Sequence, residues 1–415
     1  MKLSAILCCA SLASFGCGDD ASIGELPDLS KVEITMQVVP KAELDANGGT
    51  AYVAFVAYQE GEEPWRPMAK IEGLYRATIQ SERFGVAVGC APHPFAGTEI
   101  SVAAVRVHQA TVEDGTDLSD FSCVELLKPH AITGTAISLP SGGTFLIGTG
   151  EGSSNAIVRA DGFSIPTYAS LLDVIGYYNG GTPASSLVLR IAADPKQPTP
   201  LLFDFSRGLT PVTFPVTTPA ASGPVLVSAH VRTSSNQRLL HLWSGAGELS
   251  YSTLPRGALR PSDLIRVGIT ATSRGRTQES FVYLAEPGPA QLALAPMFNA
   301  AAPTVARDPS PRARFTLDLS ASDLPLTSYR VSATTRSTQQ VVAQSASLSE
   351  AWLRGASASA YELPDLSAIP GWDAGLSLLA DAPLRWEITR FARSSTTYEF
   401  NLREHVDTAF GELTN

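Results

Sequence analysis

The sequence predicts an all-β protein, a string of tandem β-sandwich domains behind an N-terminal export segment. Three observations predict it. Charged residues fill only 17% of 415 positions, while Gly and Pro number 33 and 29, the composition of short strands joined by tight turns. Short alternating apolar runs recur along the body, bounded by Gly, Pro, Ser and Asn. Helical periodicity is absent from residues 31–128. The length suggests about two to four cores.

Met1–Cys17 reads as a signal peptide. Lys2 is a minimal positive region, Leu3 to Leu12 is an apolar segment too short to span a bilayer, and small residues lead to Cys17. Cys17 followed by Gly18-Asp19-Asp20 resembles the processing site of bacterial lipoproteins. That resemblance implies acylation of the Cys17 thiol, with the membrane as partner through the lipid. Ser14-Phe15-Gly16 departs from the family's Leu at the third position before the cysteine, and cleavage after Ala13 is the rival. Gly18, where inner-membrane lipoproteins carry an acidic residue, implies the outer membrane. Residues 18–30 are polar, acidic and proline-punctuated, as a flexible tether would be.

Residues 31–128 follow as the first expected sandwich, with Val32–Val39, Ala51–Tyr58, Tyr75–Gln80, Phe84–Cys90, Ile100–His108 and Phe121–Leu127 as strands. Cys8 and Cys9 leave with the signal peptide and Cys17 is the lipid site, so Cys90 and Cys123 form an even pair. In an oxidising compartment they are expected to be bonded, which stabilises the fold by roughly 3–4 kcal/mol in the chain-entropy model.

The second block, residues 129–219, carries strands at Ala131–Leu139, Thr144–Gly150, Asn155–Ile165, Tyr168–Tyr178 and Ser186–Ala192. Within it Asp161-Gly162-Phe163-Ser164-Ile165, followed by Tyr168 to Val174, is similar to carboxypeptidase-regulatory-like, transthyretin-type sandwiches. The resemblance implies a non-catalytic extracellular module, and an immunoglobulin-like or transthyretin-like form for the sandwiches. Thr210–Pro224 is so rich in proline that it reads as a boundary and not as a central strand.

Residues 220–286 form a third β-rich block, residues 287–312 a Pro/Ala-rich linker, and residues 313–415 a final β-rich block with one short helix expected at Ser347–Gly355. LPDLS occurs at Leu26–Ser30 and Leu363–Ser367, too short a match to be read as a repeat.

The formal charge is −10, and no basic stripe exists to neutralise phosphates, which argues against nucleic acid. Six histidines, His93, His108, His130, His230, His241 and His405, are dispersed without metal-ligand spacing. Gly148–Ser154 is glycine-rich but lacks both the dinucleotide fingerprint and the phosphate-loop lysine, so no cofactor is expected. There is no GxSxG elbow. Glu113, Asp114, Asp117 and Asp120 form an acidic loop with oxygen ligands for Ca²⁺ but without EF-hand spacing, and a solvated turn is the expected role.

Aromatic residues are the remaining functional signal. Trp243 and Trp386 sit in strand patterns and are expected in cores. Trp65 and Trp372 lie in Pro- and Gly-bounded loops, where packing over the domain edge is the expected role and stacking on a sugar ring or anchoring of a protein partner is the alternative. The expectation is a non-catalytic cell-envelope lipoprotein with a structural or interaction role. A glycan-binding surface protein using Trp65 or Trp372 is the second reading, and an envelope hydrolase with an inter-domain site the third.

Overall fold

The computed structural model describes residues 31–38, 50–94, 99–118, 121, 123–125, 130–148, 156–157, 160–167, 172–182, 185–193, 200–219, 224–233, 239–246, 249–295, 297–306, 311–320, 323–356, 359–395 and 401–414. The protein is all-β. Among the described residues, twelve strands form one sheet. In chain order they are β1 (Val53–Glu60), β2 (Arg66–Pro67), β3 (Arg83–Pro94), β4 (Ser101–Thr111), β5 (Leu226–Arg232) and β6 (Leu239–Ala246). They continue as β7 (Leu264–Ser273), β8 (Arg276–Leu284), β9 (Leu326–Arg336), β10 (Gln340–Ser349), β11 (Leu384–Arg393) and β12 (Arg403–Leu413). Across the sheet they run β6-β5-β7-β8-β12-β11-β9-β10-β4-β3-β1-β2.

Two junctions carry this sheet across segments distant in sequence. β10 pairs in parallel with β4, from Gln340 opposite Ser101 to Leu348 opposite Gln109. β8 pairs antiparallel with β12, from Arg276 opposite Ala409 to Val282 opposite Arg403. The last strands of the chain therefore lie between those of the first and third blocks.

Strand β3 shows why both faces of the sheet are covered. Phe84, Val86, Val88 and Cys90 alternate onto one face and pack with Ile34, Met36 and Ile79 of a four-stranded cover sheet built from Val32–Met36, Ala69–Ile71, Leu74–Ile79 and Asp117–Leu118. Gly85, Ala87 and Gly89 fall on the other face. There Ala87 joins Phe55, Val105, Phe315, Tyr329, Ile388 and Leu376 in the largest core. A side chain at position 89 is not tolerated, because a Cβ would stand 2.2 Å from the Phe55 ring. Cys90 on β3 is bonded to Cys123, as expected, with Cα atoms 5.2 Å apart.

In the second block a three-stranded sheet (His130–Ile137, Phe163–Thr167, Leu201–Asp204) faces a four-stranded one (Thr144–Gly148, Ala156–Ile157, Leu172–Asn179, Leu187–Ala193). Phe145, Phe163, Phe203 and Phe205 fill the space between them. Ile175, Tyr177 and Val188 pack outward into the core of the third block with Val227, Tyr251 and Ile265. Residues 287–312, expected as a linker, contribute buried side chains: Leu292 and Phe298 are 3% and 2% exposed.

Thr210–Pro224 corrects an expectation. Val212–Thr217 is the middle strand of a three-stranded sheet, between Ser250–Thr253 and Ala290–Gln291. Pro215 is tolerated because Val216 N–H bonds Leu249 O on one side, which turns the proline nitrogen to the other. On that side, pairing begins only at Val216 opposite Ala290, so the missing N–H breaks no ladder bond. Among the described residues the one α-helix, α1, spans Glu350–Ala356, overlapping the expected Ser347–Gly355 but starting after β10 and ending one residue later. No described helix is long and apolar enough to cross a membrane.

Candidate ligand-binding cleft

The β4–β10 junction brings two distant parts of the chain to one cleft of about 280 Å³. Gln59 near the end of β1, Trp65 in the turn before β2, Arg83 at the start of β3 and Gln109 near the end of β4 line it from one side. Trp352 on α1 and Tyr361 on the short strand Ala360–Glu362 line it from the other. The helix starts at once after β10 because Ser349 Oγ accepts the Trp352 N–H at 3.2 Å, an N-terminal cap. Trp65 lies across β3 only because position 85 is glycine: a Cβ there would sit 2.9 Å from the Trp65 ring.

Each polar side chain of the cleft is held by part of its surface. Gln109 Nε2 donates to Gln59 Oε1 at 3.1 Å, and Gln59 Nε2 donates to Glu63 O at 2.9 Å. Arg83 places its guanidinium carbon 4.8 Å from the Trp352 ring centre, a cation–π contact. Its Nη1 lies 3.5 Å from Glu62 Oε1. Trp352 and Tyr361 meet edge to face with centroids 6.1 Å apart.

The remaining polar atoms are unusual. Arg83 Nε and Nη2, Gln109 Oε1, Trp352 Nε1 and Tyr361 Oη are buried and find no hydrogen-bond partner among the described residues. Gln109, Trp352 and Tyr361 are 5%, 8% and 6% exposed. An unmet buried donor or acceptor costs about 1–3 kcal/mol, and the grouping of these residues beside one cleft makes it the candidate site. Burial pushes the Tyr361 hydroxyl well above the usual tyrosine range, so it remains a protonated donor at any working pH. A second recess, of about 520 Å³, adjoins the cleft, shares Gly61 and Glu62 with it, and is lined further by Glu60, Glu63, Arg66, Gln80 and Ser81.

Of the residues singled out in the sequence, Trp65 lines the cleft and Trp372 does not. Trp372 is half-buried, its ring 5.8 Å from that of Phe55, and its backbone N–H donates to Ile369 O at 3.0 Å. Trp386 is likewise half-buried, packed beside Gly411. Trp243 lies on β6. Asp114 Oδ2 accepts Thr111 N–H at 2.8 Å and its hydroxyl at 2.9 Å, and Asp117 accepts the Thr35 hydroxyl at 3.3 Å. These bonds tie each carboxylate to its own turn or neighbouring strand, and no group of metal-ligating side chains assembles among the described residues. Asp120, Cys17, the signal peptide and the tether lie outside the described residues.

Sequence reasoning missed Arg83, Gln109, Trp352 and Tyr361. None stands in a motif, and they come from strands, a helix and a separate sheet that only the fold brings beside Trp65. It also missed a convergence of Ser280, His405 and Asp323: Ser280 Oγ is 2.7 Å from His405 Nδ1, and His405 Nε2 is 3.2 Å from Asp323 Oδ2. The set has the composition of a nucleophilic triad but the opposite ring orientation. Ser280 is 1% exposed within the sheet, which leaves no approach for a substrate. No family model matches the chain, and no curated protein matches it.

Proposed function

We propose that the chain is a non-catalytic binding protein of the bacterial cell envelope, anchored by lipid on Cys17, whose Trp65 cleft receives a sugar ring. The observation that carries this reading is the aromatic lining of one cleft, where Trp65, Trp352 and Tyr361 stand beside Arg83 and the polar side chains of Gln59 and Gln109. A pyranose ring presents C–H bonds on its faces and hydroxyls at its edge. The faces suit the electron-rich indole surface, and the hydroxyls suit the polar side chains that line the same cleft, among them Gln59, Glu62 and Glu362. The Cys90–Cys123 disulfide favours an oxidising compartment, and an acylated cysteine supplies the anchor.

The test is retention of the soluble fragment starting at Gly18 on a panel of immobilised polysaccharides. Trp65→Ala is expected to lower retention at least tenfold, an effect of about 1.4 kcal/mol, while Trp372→Ala leaves it unchanged. No retention of the unmodified fragment on any polysaccharide overturns the sugar reading. The anchor is tested by mass analysis of the protein from cells, where an unmodified Cys17 joined to its leader overturns it.

A further inference from the structure

We infer that the main sheet carries a second binding site, for a phosphate monoester, between Arg106 of β4 and Arg330 of β9 on the face turned away from the largest core. Strand alternation puts both arginines on that face. On β4, Ala103, Val105 and Val107 enter the largest core, so Arg106 points the other way, beside its cross-strand neighbour Val88, which packs under the cover sheet. On β9, Tyr329, Val331 and Ala333 enter the same core, which turns Arg330 outward likewise. Strand β10 runs between the two, with Ser345 opposite Arg106 and Ser347 opposite Arg330. Two strand spacings of about 4.8 Å separate the arginine backbones. The cleft at Trp65 lies elsewhere, since Gln109 of β4, which lines it, alternates onto the opposite face.

Both arginines are exposed and both serines half-buried, so a ligand can reach all four. Neighbouring arginines on this face have acids of their own: Arg385 holds Glu412 at 3.1 Å, and Arg393 holds Glu404 at 2.7 Å. Glu387 of β11 accepts the Thr389 hydroxyl at 3.1 Å. Arg106 and Arg330 enter no ion pair among the described residues, and the Arg330 guanidinium carbon stands 5.8 Å from the Phe391 ring centre. Loss of water along its stem, and then the charge of Arg330, hold the Arg106 pKa below the ordinary arginine value. Two cations that weigh on each other, in a chain of net charge −10, favour an anion between them. Two guanidinium forks and two hydroxyls offer more donors than the two oxygens of a carboxylate accept. A phosphate monoester has three acceptor oxygens and a charge of about −2, which matches both the donors and the two cations. The cover sheet rises about 10 Å above this face next to Arg106, so the pair lies at the foot of a step that a small ester enters and a flat bilayer does not.

The experiment is calorimetric titration of the chain from Gly18 onward, which contains every described residue, with glycerol 3-phosphate and with glycerate, together with its flotation on phosphatidylglycerol vesicles. No probe holds a sugar ring, so the Trp65 cleft does not contribute. Glycerol 3-phosphate is expected to bind at least tenfold more tightly than glycerate. Arg106→Gln and Arg330→Gln are each expected to weaken it at least tenfold, as loss of a charge-assisted hydrogen bond does, with unchanged urea midpoints because both side chains are exposed. Arg385→Gln, which removes a cation already paired with Glu412, and Trp65→Ala are expected to leave it unchanged. The inference is overturned if glycerol 3-phosphate does not bind, if glycerate binds as tightly, if Arg106→Gln binds in full, or if Arg385→Gln loses as much. Binding to the vesicles alone overturns it too. The sugar reading stands or falls separately, on the polysaccharide panel.

Discussion

His405 shows at the scale of a single residue how this fold uses polar groups that the sequence pattern scatters. It lies 5% exposed between Ser280 and Asp323. Burial lowers its pKa below the ordinary 6.5, outweighing the opposing pull of Asp323. The unfolded chain thus binds the proton more readily, so the stability contributed by the neutral ring is whole above 6.5 and is lost as pH falls through the lower folded value. The urea midpoint is expected to drop between about pH 7 and 5, and His405→Asn is expected to flatten that slope. Equal slopes in the two proteins would refute the assignment. Buried Asp407 acts with the opposite sign: its raised pKa withdraws stability as pH climbs above 3.8, and comparison with the His405 variant separates the two. For the cleft, Trp65 was legible as one candidate beside Trp372, because a tryptophan between two prolines has few neighbours to bury it. Arg83, Gln109 and Tyr361 were not, since each sits in or beside a strand like dozens of others.

At the scale of elements, the second and third blocks are clamped by charge. Arg190 on Leu187–Ala193 donates to Asp173 on Leu172–Asn179 at 3.0 Å, and also to Asp263 in the turn before β7. Asp173 and Asp263 are 1% and 0% exposed at the side chain and Arg190 is 7% exposed. Arg260 joins Asp173 at 3.0 Å from a position 46% exposed. Removing one member of a buried pair strands the other, so Arg190→Ala is expected to cost about 3–5 kcal/mol. Arg260→Ala, half in water, is expected to cost less than about 1 kcal/mol. Urea denaturation of both variants checks this, and equal losses would show that the clamp is not set by burial. Most strands were legible from alternation, as Ile100–His108 was within Ser101–Thr111. β10 and β12 were not. β10 turns Gln344 and Ala346 inward beside Val342 and Leu348, and β12 carries Glu404, His405 and Asp407 into the interior. Small and ionisable residues on a buried face erase the apolar signal, and partners such as Arg393, Ser280 and the Phe298 N–H make that burial tolerable.

At the scale of the molecule, the sheet makes the cleft a product of two ends of the chain. Residues 31–128 hold Trp65 and Arg83, while Trp352 and Tyr361 arrive from beyond residue 350. A fragment of residues 31–128 is therefore expected to lose polysaccharide retention. It would also bare the Gly85-Ala87 face of β3 and the unpaired edge of β4, the kind of exposed edge that promotes association. Size-exclusion chromatography and retention on the same polysaccharide check both points, and a monomeric fragment that binds as the whole chain does would refute them. Local information in the sequence was enough for the β class and the disulfide partners, because each follows from alternation or from cysteine parity, whereas Trp65 and Trp372 read alike and only the fold put one of them at the cleft. The union of distant strands in one sheet, and with it the set of groups that face Trp65, was decided by tertiary structure alone. Parallel pairing of β4 with β10 joins residues more than two hundred positions apart, and no pattern within either strand names its partner.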